Sequence, residues 1–421
     1  MYFDIEKYRY FQMKKIFPCV IGLGYVGLPV FVSLKKKFNV TGYDVNKKRV
    51  YNLNNLVDTN KEFSKNDLKI KNQSLITNKS EKIKNCNFYI VAVPTPVKNN
   101  SVPDLKYIKE AFNLISKNLK KNDIIFLEST VYPGTTEIFC KNILLKSNRF
   151  IENKDFFLGY SSERINPGDK KHDVKNVAKV VSINTNRKII NIVKSVYNVV
   201  SKKIIFSQKI REAELSKLIE NTQRDLNISL MNEIMVLCKK TKIDYNEVIR
   251  LAKTKWNFLN FSPGLVGGHC LPVDPYYLSH FAKKSNYNTK VTLAGRETNN
   301  SMKNFIFNIV NEEIKKKNPE IKNKKILVAG LTYKPNVSDP RNSLAIKIYK
   351  KLKKKFINVK GYDPIIDKIY AKRMKIETNF KKIEDSDIVI FLVNHKIFRK
   401  NIKYLKKYKT KIIDPFFFFK F

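Results

Sequence analysis

Acidic side chains are in short supply in this chain: 37 Asp+Glu stand against 82 Lys+Arg, a formal net charge of +45. A surplus of that size can draw nucleic acid, an anionic membrane or a phosphorylated ligand. The lysines, however, are spread along the whole sequence and no block forms a clean basic arm. Most of the charge therefore reads as solvated faces under a lysine-rich composition, and nucleic-acid binding is not expected. Cysteine is also sparse. Cys19, Cys86, Cys140, Cys238 and Cys270 are far apart, odd in number and without a CxxC pair, which argues against a disulfide framework and against a metal site. A reducing cytoplasm fits that usage. Long apolar runs are missing as well: the opening MYFDIEKYRYFQMKK carries acids and no continuous apolar segment, so neither a signal peptide nor membrane insertion is expected. The cluster Phe416 to Phe419 is too short for an anchor and reads as a packed edge or a subunit contact.

What is present is enough for real cores: 421 residues, 43% of them hydrophobic, suggest two to three domains. Ile16 to Ile21 reads as a short buried strand. Gly22-Leu23-Gly24-Tyr25-Val26-Gly27 follows at once, then an apolar helical stretch, and the next strand, Asn39 to Tyr43, ends in Asp44. This order of strand, glycine turn, helix, strand and acid is that of a dinucleotide site. The glycines allow a tight turn and close approach of a pyrophosphate, whose charge meets the helix N-terminus. Gly22, Gly24, Tyr25, Val26, Gly27 and Asp44 are thus candidate cofactor contacts, and the Asp44 carboxylate would repel the extra phosphate of NADP and favour NAD. Lys47, Lys48 and Arg49 just downstream temper that preference. The strands Phe88 to Val93 and Ile124 to Glu128 end in Pro94-Thr95-Pro96 and Ser129-Thr130. Loops beyond strand C-termini line the crevice of an open parallel sheet, so Thr95 and Thr130 join the set, although a Thr there is also an ordinary helix cap. A further strand, Phe156 to Tyr160, leads into the polar loop Ser161 to Asp169, which is either a solvated turn or a carrier of catalytic groups.

The stretch Phe258 to Leu278 sets Cys270 directly behind the flexible pair Gly267-Gly268 and four residues ahead of Asp274. Such a thiol can attack a carbonyl carbon if positive charge or a helix N-terminus favours its thiolate; the alternative is a buried cysteine in a Gly/Pro turn. Arg211 to about Lys240 lacks Pro and Gly and reads as one long helix. Lys217 and Asn221 share a face of it and could together hydrogen-bond a developing oxyanion, or could be plain surface residues. Leu218, Leu226, Leu230 and Leu237 make the same helix a core or interface element. After the lysine-rich connection IKKKNPEIKNKK, with a boundary near Glu320, the strand Ile326 to Gly330 opens a second α/β unit. Lys334 and Arg341 would sit at the mouth of its crevice, where cations suit a diphosphate. Strands at Asn358 to Tyr362, Ile388 to Val393 and Lys411 to Ile413 complete a second Rossmann-like sheet without a glycine fingerprint.

The motifs GLGYVGLP, VPTP, EST, SSERINPGD, KLIENTQRDLN, GLVGGHCLPVDP and AGLTYKPNVSDPRNS, in this order and over nearly the whole chain, resemble those of the UDP-glucose/GDP-mannose dehydrogenase family. The set looks most like the branch acting on UDP-N-acetylhexosamines, the UDP-N-acetylglucosamine or UDP-N-acetylgalactosamine 6-dehydrogenases of bacterial polysaccharide synthesis. The resemblance implies an α/β fold of two Rossmann-like parallel-sheet domains joined by a central helical domain. The boundaries would be 1–207 for NAD, 208–318 for the helical domain with the catalytic loop, and 319–421 for the UDP-sugar, in a homodimer or higher homo-oligomer.

It also implies a four-electron, NAD-dependent oxidation at the sugar C6, with Cys270 as nucleophile. Lys217 and Asn221 would then serve the oxyanion, Asp274 would assist Lys217 or water, and Thr130 and Glu163 would place water or act as base. Gly264, Gly267 and Gly268 match the loop over the sugar nucleotide, and Lys334 and Arg341 match substrate-binding positions. Arg164 and Asn166 replace the apolar and acidic residues of the UDP-glucose type, a change that suits an N-acetyl group. One departure stands out: the second glutamate of the UDP-glucose enzymes, four positions beyond Glu163, is Pro167 here, so its role is unfilled or moved. His269 adjoins the nucleophile, but adjacent residues usually point apart, and it is read as a packing or supporting residue. The competing readings are a UDP-glucose 6-dehydrogenase and a two-electron hydroxy-acid dehydrogenase, which needs no nucleophilic cysteine.

Overall fold

Short β-branched and aromatic runs closed by glycine or polar turns form the strands, and their near-continuous apolar character follows from burial on both faces. The computed structural model describes residues 16–70, 73–147, 149–165, 173–317 and 324–419; Asn166 and Pro167 lie outside them. The chain packs as two units, one made of the residues up to Glu220 with Tyr276–Tyr287, the other of Asn221–Pro275 with Asn288–Phe421.

The first unit holds an eight-stranded sheet. Its strands are β1 (Pro18–Ile21), β2 (Thr41–Tyr43), β3 (Leu75–Thr77), β4 (Phe88–Val91), β5 (Asp123–Leu127), β6 (Phe156–Ser161), β7 (Lys179–Ile183) and β8 (Ile204–Ser207). The order is β3-β2-β1-β4-β5-β6-β7-β8, so the chain reverses its direction of travel across the sheet between β1 and β4, which opens a crevice at their C-terminal ends. All neighbours are parallel except β6 and β7. The sequence reading of a parallel sheet thus holds with one reversal, and β3, β7 and β8, short segments beside lysines, were not read as strands.

The second unit holds a five-stranded, all-parallel sheet in the order β11-β10-β9-β12-β13. Its strands are β9 (Ile326–Ala329), β10 (Val359–Tyr362), β11 (Ile376–Glu377), β12 (Ile388–Phe391) and β13 (Ile412–Ile413). The Phe416 to Phe419 cluster is a packed edge of this unit: Phe416 and Phe419 are buried, and the Phe419 ring meets Phe391 edge-on at 4.9 Å. Among the described residues no helix is long and apolar enough to cross a membrane.

The helix Ile210–Thr241 matches the long helix expected from the absence of Pro and Gly. In the second unit it packs on the helix Lys290–Lys317 at a point where a Cβ on Gly295 would fall 2.4 Å from the Leu226 side chain. Beside this close approach the buried Arg296 guanidinium donates to Asp225 Oδ1 at 2.6 Å, and Asn299 Nδ2 donates to the same carboxylate at 2.8 Å. Asn232 continues the network by donating to Asn299 Oδ1 at 2.8 Å. Removing one partner of a buried ion pair leaves the other uncompensated, at a cost of about 3 to 5 kcal/mol. The Asp225→Ala variant is therefore expected to lose roughly that much stability in urea unfolding, and a midpoint equal to that of the wild type would refute the assignment.

Candidate active site

At the first glycine turn each residue type has a separate cause. Gly22 takes φ +92°, and a Cβ on it would lie 2.5 Å from the Ala92 carbonyl oxygen. A Cβ on Gly27 would fall 1.8 Å from the Gly22 carbonyl oxygen, so the helix Gly27–Leu34 can start against the turn only with glycine there. Around Gly24 a Cβ would meet nothing within 4 Å, which leaves the backbone open for a pyrophosphate to approach. Tyr25 and Val26 beside it are half-buried. Asp44, also half-buried, accepts the Leu23 N–H at 2.9 Å and the Asn46 N–H at 2.8 Å, which fixes its carboxylate at the end of β2. The residues present thus fit an NAD at this turn. Arg49 is occupied within the protein. Its guanidinium donates to Asp58 Oδ1 at 2.8 Å, Thr59 Oγ1 at 2.9 Å and the Leu23 carbonyl at 2.9 Å, so it braces the turn from behind.

Thr95 and Thr130 are half-buried beyond the ends of β4 and β5. The segment following Thr130 is held by a residue that motif reading overlooked: buried Glu214 accepts from Gly134 N at 2.6 Å, Thr136 N at 2.9 Å and Thr136 Oγ1 at 2.7 Å. Burial pushes its carboxyl up to about 7, with these donors pulling the other way. Three residues on, Lys217 is only 8% exposed, which is not the environment of an ordinary surface lysine. Arg164 forks onto Glu220 and donates to the Ala178 carbonyl at 3.2 Å. Glu163 is buried, accepts the Ile165 N–H, and lies 3.5 Å from Lys179 Nζ.

In the second unit Cys270 is the exposed cysteine, whereas the other four are buried. Its carbonyl accepts the N–H groups of Val273 and Asp274, both at 2.9 Å, so it opens the turn that runs into the helix Asp274–Lys284. A helix N-terminus favours an anion. Asp274 is buried and accepts a hydrogen bond from Asn221 Nδ2, so that two of the motif residues meet. The preceding loop is built on glycines: Gly264 exchanges hydrogen bonds with the Asn232 amide at 2.9 and 3.1 Å. A Cβ on Gly267 would lie 2.8 Å from the Asn342 carbonyl oxygen, and one on Gly268, at φ +91°, 2.6 Å from the Tyr333 ring.

The structure therefore brings the Gly-Gly-His-Cys loop against the Lys334 to Arg341 loop, a contact that spacing alone could not reveal. Lys334 is half-buried there. Arg341 donates to both oxygens of Asp339, at 2.6 to 3.0 Å. His269 Nε2 reaches the same carboxylate at 3.4 Å, which supports its reading as a supporting residue. Burial raises the Asp339 carboxyl, but the hydrogen bonds from His269 and Arg341 outweigh it and hold the group well below the usual range.

Residues 15–201 match the model of the UDP-glucose/GDP-mannose dehydrogenase family's NAD binding domain, 211–301 its central domain and 327–419 its UDP binding domain. Protein CapL of Staphylococcus aureus is 44% identical over 389 residues, 91% of each chain. A UDP-N-acetyl-D-glucosamine 6-dehydrogenase of Salmonella typhi is 41% identical over 392 residues, 92% of each chain. Among solved structures, the UDP-D-ManNAc dehydrogenase of Pyrococcus horikoshii is 28% identical with a TM-score of 0.82, covering 95% of both chains.

The geometry at β2 generates an expectation about the cofactor. Asp44→Ala removes both the ribose acceptor and the repulsive charge, so NAD should bind about tenfold more weakly, the worth of a hydrogen bond to a charged group, and the gap to NADP should narrow. Titration of both cofactors by protein fluorescence is the measurement, and an unchanged preference would show that the ribose is read elsewhere.

Proposed function

The chain belongs to the UDP-glucose/GDP-mannose dehydrogenase family as an NAD-dependent nucleotide-sugar dehydrogenase, and from that premise we propose that it oxidises the C6 hydroxyl of a UDP-N-acetylhexosamine to the uronate, for bacterial surface polysaccharide. The likeness to the Salmonella typhi enzyme over nearly the full length supports the substrate class. The observation that carries the chemistry is Cys270, exposed in the turn that leads into the helix Asp274–Lys284 while every other cysteine is buried. Two NAD molecules, bound one after the other at the glycine turn, would supply one hydride acceptor for each of the two oxidations. Cys270 Sγ adds to the C6 aldehyde, giving a thiohemiacetal, and loss of the second hydride leaves a thioester. Water then adds to the acyl carbon, its proton goes to Glu163, and the C–S bond breaks with its electron pair returning to sulfur.

Each tetrahedral stage carries negative charge on oxygen, and Lys217 and Asn221 supply donors to it. Asn221 gives one amide hydrogen to Asp274, which orients the other. Thr130 assists in placing water. Gly264, Gly267 and Gly268 form the cover of the sugar nucleotide, Lys334 and Arg341 bind its diphosphate, and Arg341 is pre-set for this by its fork on Asp339. Arg164 is engaged by Glu220, so it shapes the loop, and Asn166 lies outside the described residues. The division into 1–207, 208–318 and 319–421 is part of this reading, and the matched segments 15–201, 211–301 and 327–419 are its support.

A cytoplasmic homo-oligomer is the state we propose. In its support, Leu230 and Leu237 on the long helix are more than half exposed, and Trp256 is 92% exposed. These are apolar groups suited to a second copy.

The test is a panel of UDP-sugars read as NADH formed per sugar consumed. UDP-N-acetylhexosamine should exceed UDP-glucose in kcat/KM by roughly 5- to 150-fold, since each polar group left unpaired costs about 1 to 3 kcal/mol, and should yield about two NADH, the stoichiometry that a thioester route requires. Better use of UDP-glucose would overturn the substrate class. A single NADH with free aldehyde would overturn the thioester. Cys270→Ser should form no uronate, because an alkoxide is a poor leaving group and a serine hydroxyl a weak nucleophile.

A further inference from the structure

Behind Glu163 lies a buried charge cluster that the scheme above does not use. Lys179, the first residue of β7, has its Nζ 3.1 Å from Glu128 Oε2, just past the end of β5, and 3.5 Å from Glu163 Oε2, beyond the end of β6. The side chains of Lys179, Glu128 and Glu163 are 5, 0 and 8% exposed. The Tyr197 ring, from the helix Arg187–Val200, lies 5.7 Å from the ammonium. The Tyr197 hydroxyl interacts with Glu128 and with Ser161, and Ser162 Oγ is buried without a hydrogen-bond partner among the described residues.

One cation between two carboxylates leaves a net negative charge in a buried site, so a proton delivered to the cluster is held favourably. Burial pushes the Glu128 carboxyl up, and the Lys179 ammonium counters this only in part. Burial also disfavours the Lys179 ammonium, but the two carboxylates outweigh that and raise it. The cation persists, and Glu128, the deeper of the two carboxylates, is the acceptor for a proton that arrives from Glu163 during the reaction.

We propose that Lys179 is the positioning residue for Glu163, and that Glu128 is the carboxyl with which Glu163 exchanges the proton drawn from the hydrolytic water. The exchange is balanced: Lys179 gives a proton to Glu128 as it receives one from Glu163, while the water oxygen joins the acyl carbon. This rests on the reading of Glu163 as the base of that step.

The groups facing one another here, among the described residues, are Glu128, Glu163, Lys179 and Tyr197, and they give the test its sign. Without the cation Glu163 protonates more readily, so Lys179→Met should move the acid limb of the kcat profile to higher pH. Without the second carboxylate the cation acts on Glu163 alone, so Glu128→Gln should move the limb to lower pH. Acyl-enzyme on Cys270, read by intact mass in a single turnover, should decay about 100-fold more slowly in Lys179→Met, the lower end of what general-base assistance contributes, with Lys179→Arg recovering most of the rate.

If Glu163→Gln stops hydrolysis but the acid limb stays in place in both Lys179→Met and Glu128→Gln, the role of Lys179 is refuted and that of Glu163 stands. If Glu163→Gln hydrolyses the acyl-enzyme at the wild-type rate, both assignments fall. Should Lys179→Met not fold, the shift in the isosteric Glu128→Gln decides.

Discussion

A backbone N–H at a strand-to-helix turn must find an acceptor, and in both units a carboxylate at the end of the neighbouring strand supplies it. In the first, Leu23 N–H donates to Asp44 at 2.9 Å; in the second, Leu331 N–H donates to Asp363 at 2.7 Å. Each turn starts from a glycine at positive φ, Gly22 at +92° and Gly330 at +78°. A Cβ there would lie 2.5 Å from the Ala92 oxygen in one case and 2.3 Å from the Val393 oxygen in the other. The same local constraint therefore builds two crevices with different uses. Asp44 remains half-exposed. Asp363 is fully buried and also accepts from Thr332, Ile365 and Ile366 N–H. His395 seals it: its Nδ1 accepts the Asn336 N–H at 3.0 Å, so Nε2 carries the hydrogen given to Asp363 at 3.1 Å. A carboxylate so occupied cannot read a ribose.

The long helix organises the polar groups. Glu214, Lys217, Asn221, Asp225 and Asn232 follow one another at three- to seven-residue intervals, near whole turns of one stripe. Four of the five meet something specific: Glu214 the loop after Thr130, Asn221 the acid beyond Cys270, and Asp225 and Asn232 the neighbouring helix. A buried polar stripe is costly unless satisfied, and it ties the position of the catalytic candidates to the stability of the fold.

Sequence alone determined the glycine turn with its acid, the long helix, most strands and the order of the motifs. These depend on φ/ψ, on apolar runs and on the absence of Pro and Gly, all of which are local properties. Tertiary structure decided which side chains meet. Arg49 turned to Asp58, Arg164 to Glu220 and His269 to Asp339. The reversal at β7 and the Lys179 bridge between Glu128 and Glu163 likewise join segments far apart in the chain. A long charged side chain has many rotamers and one sequence neighbourhood, but its partner is chosen by whichever opposite charge shares its burial. That is settled only when the sheet has formed.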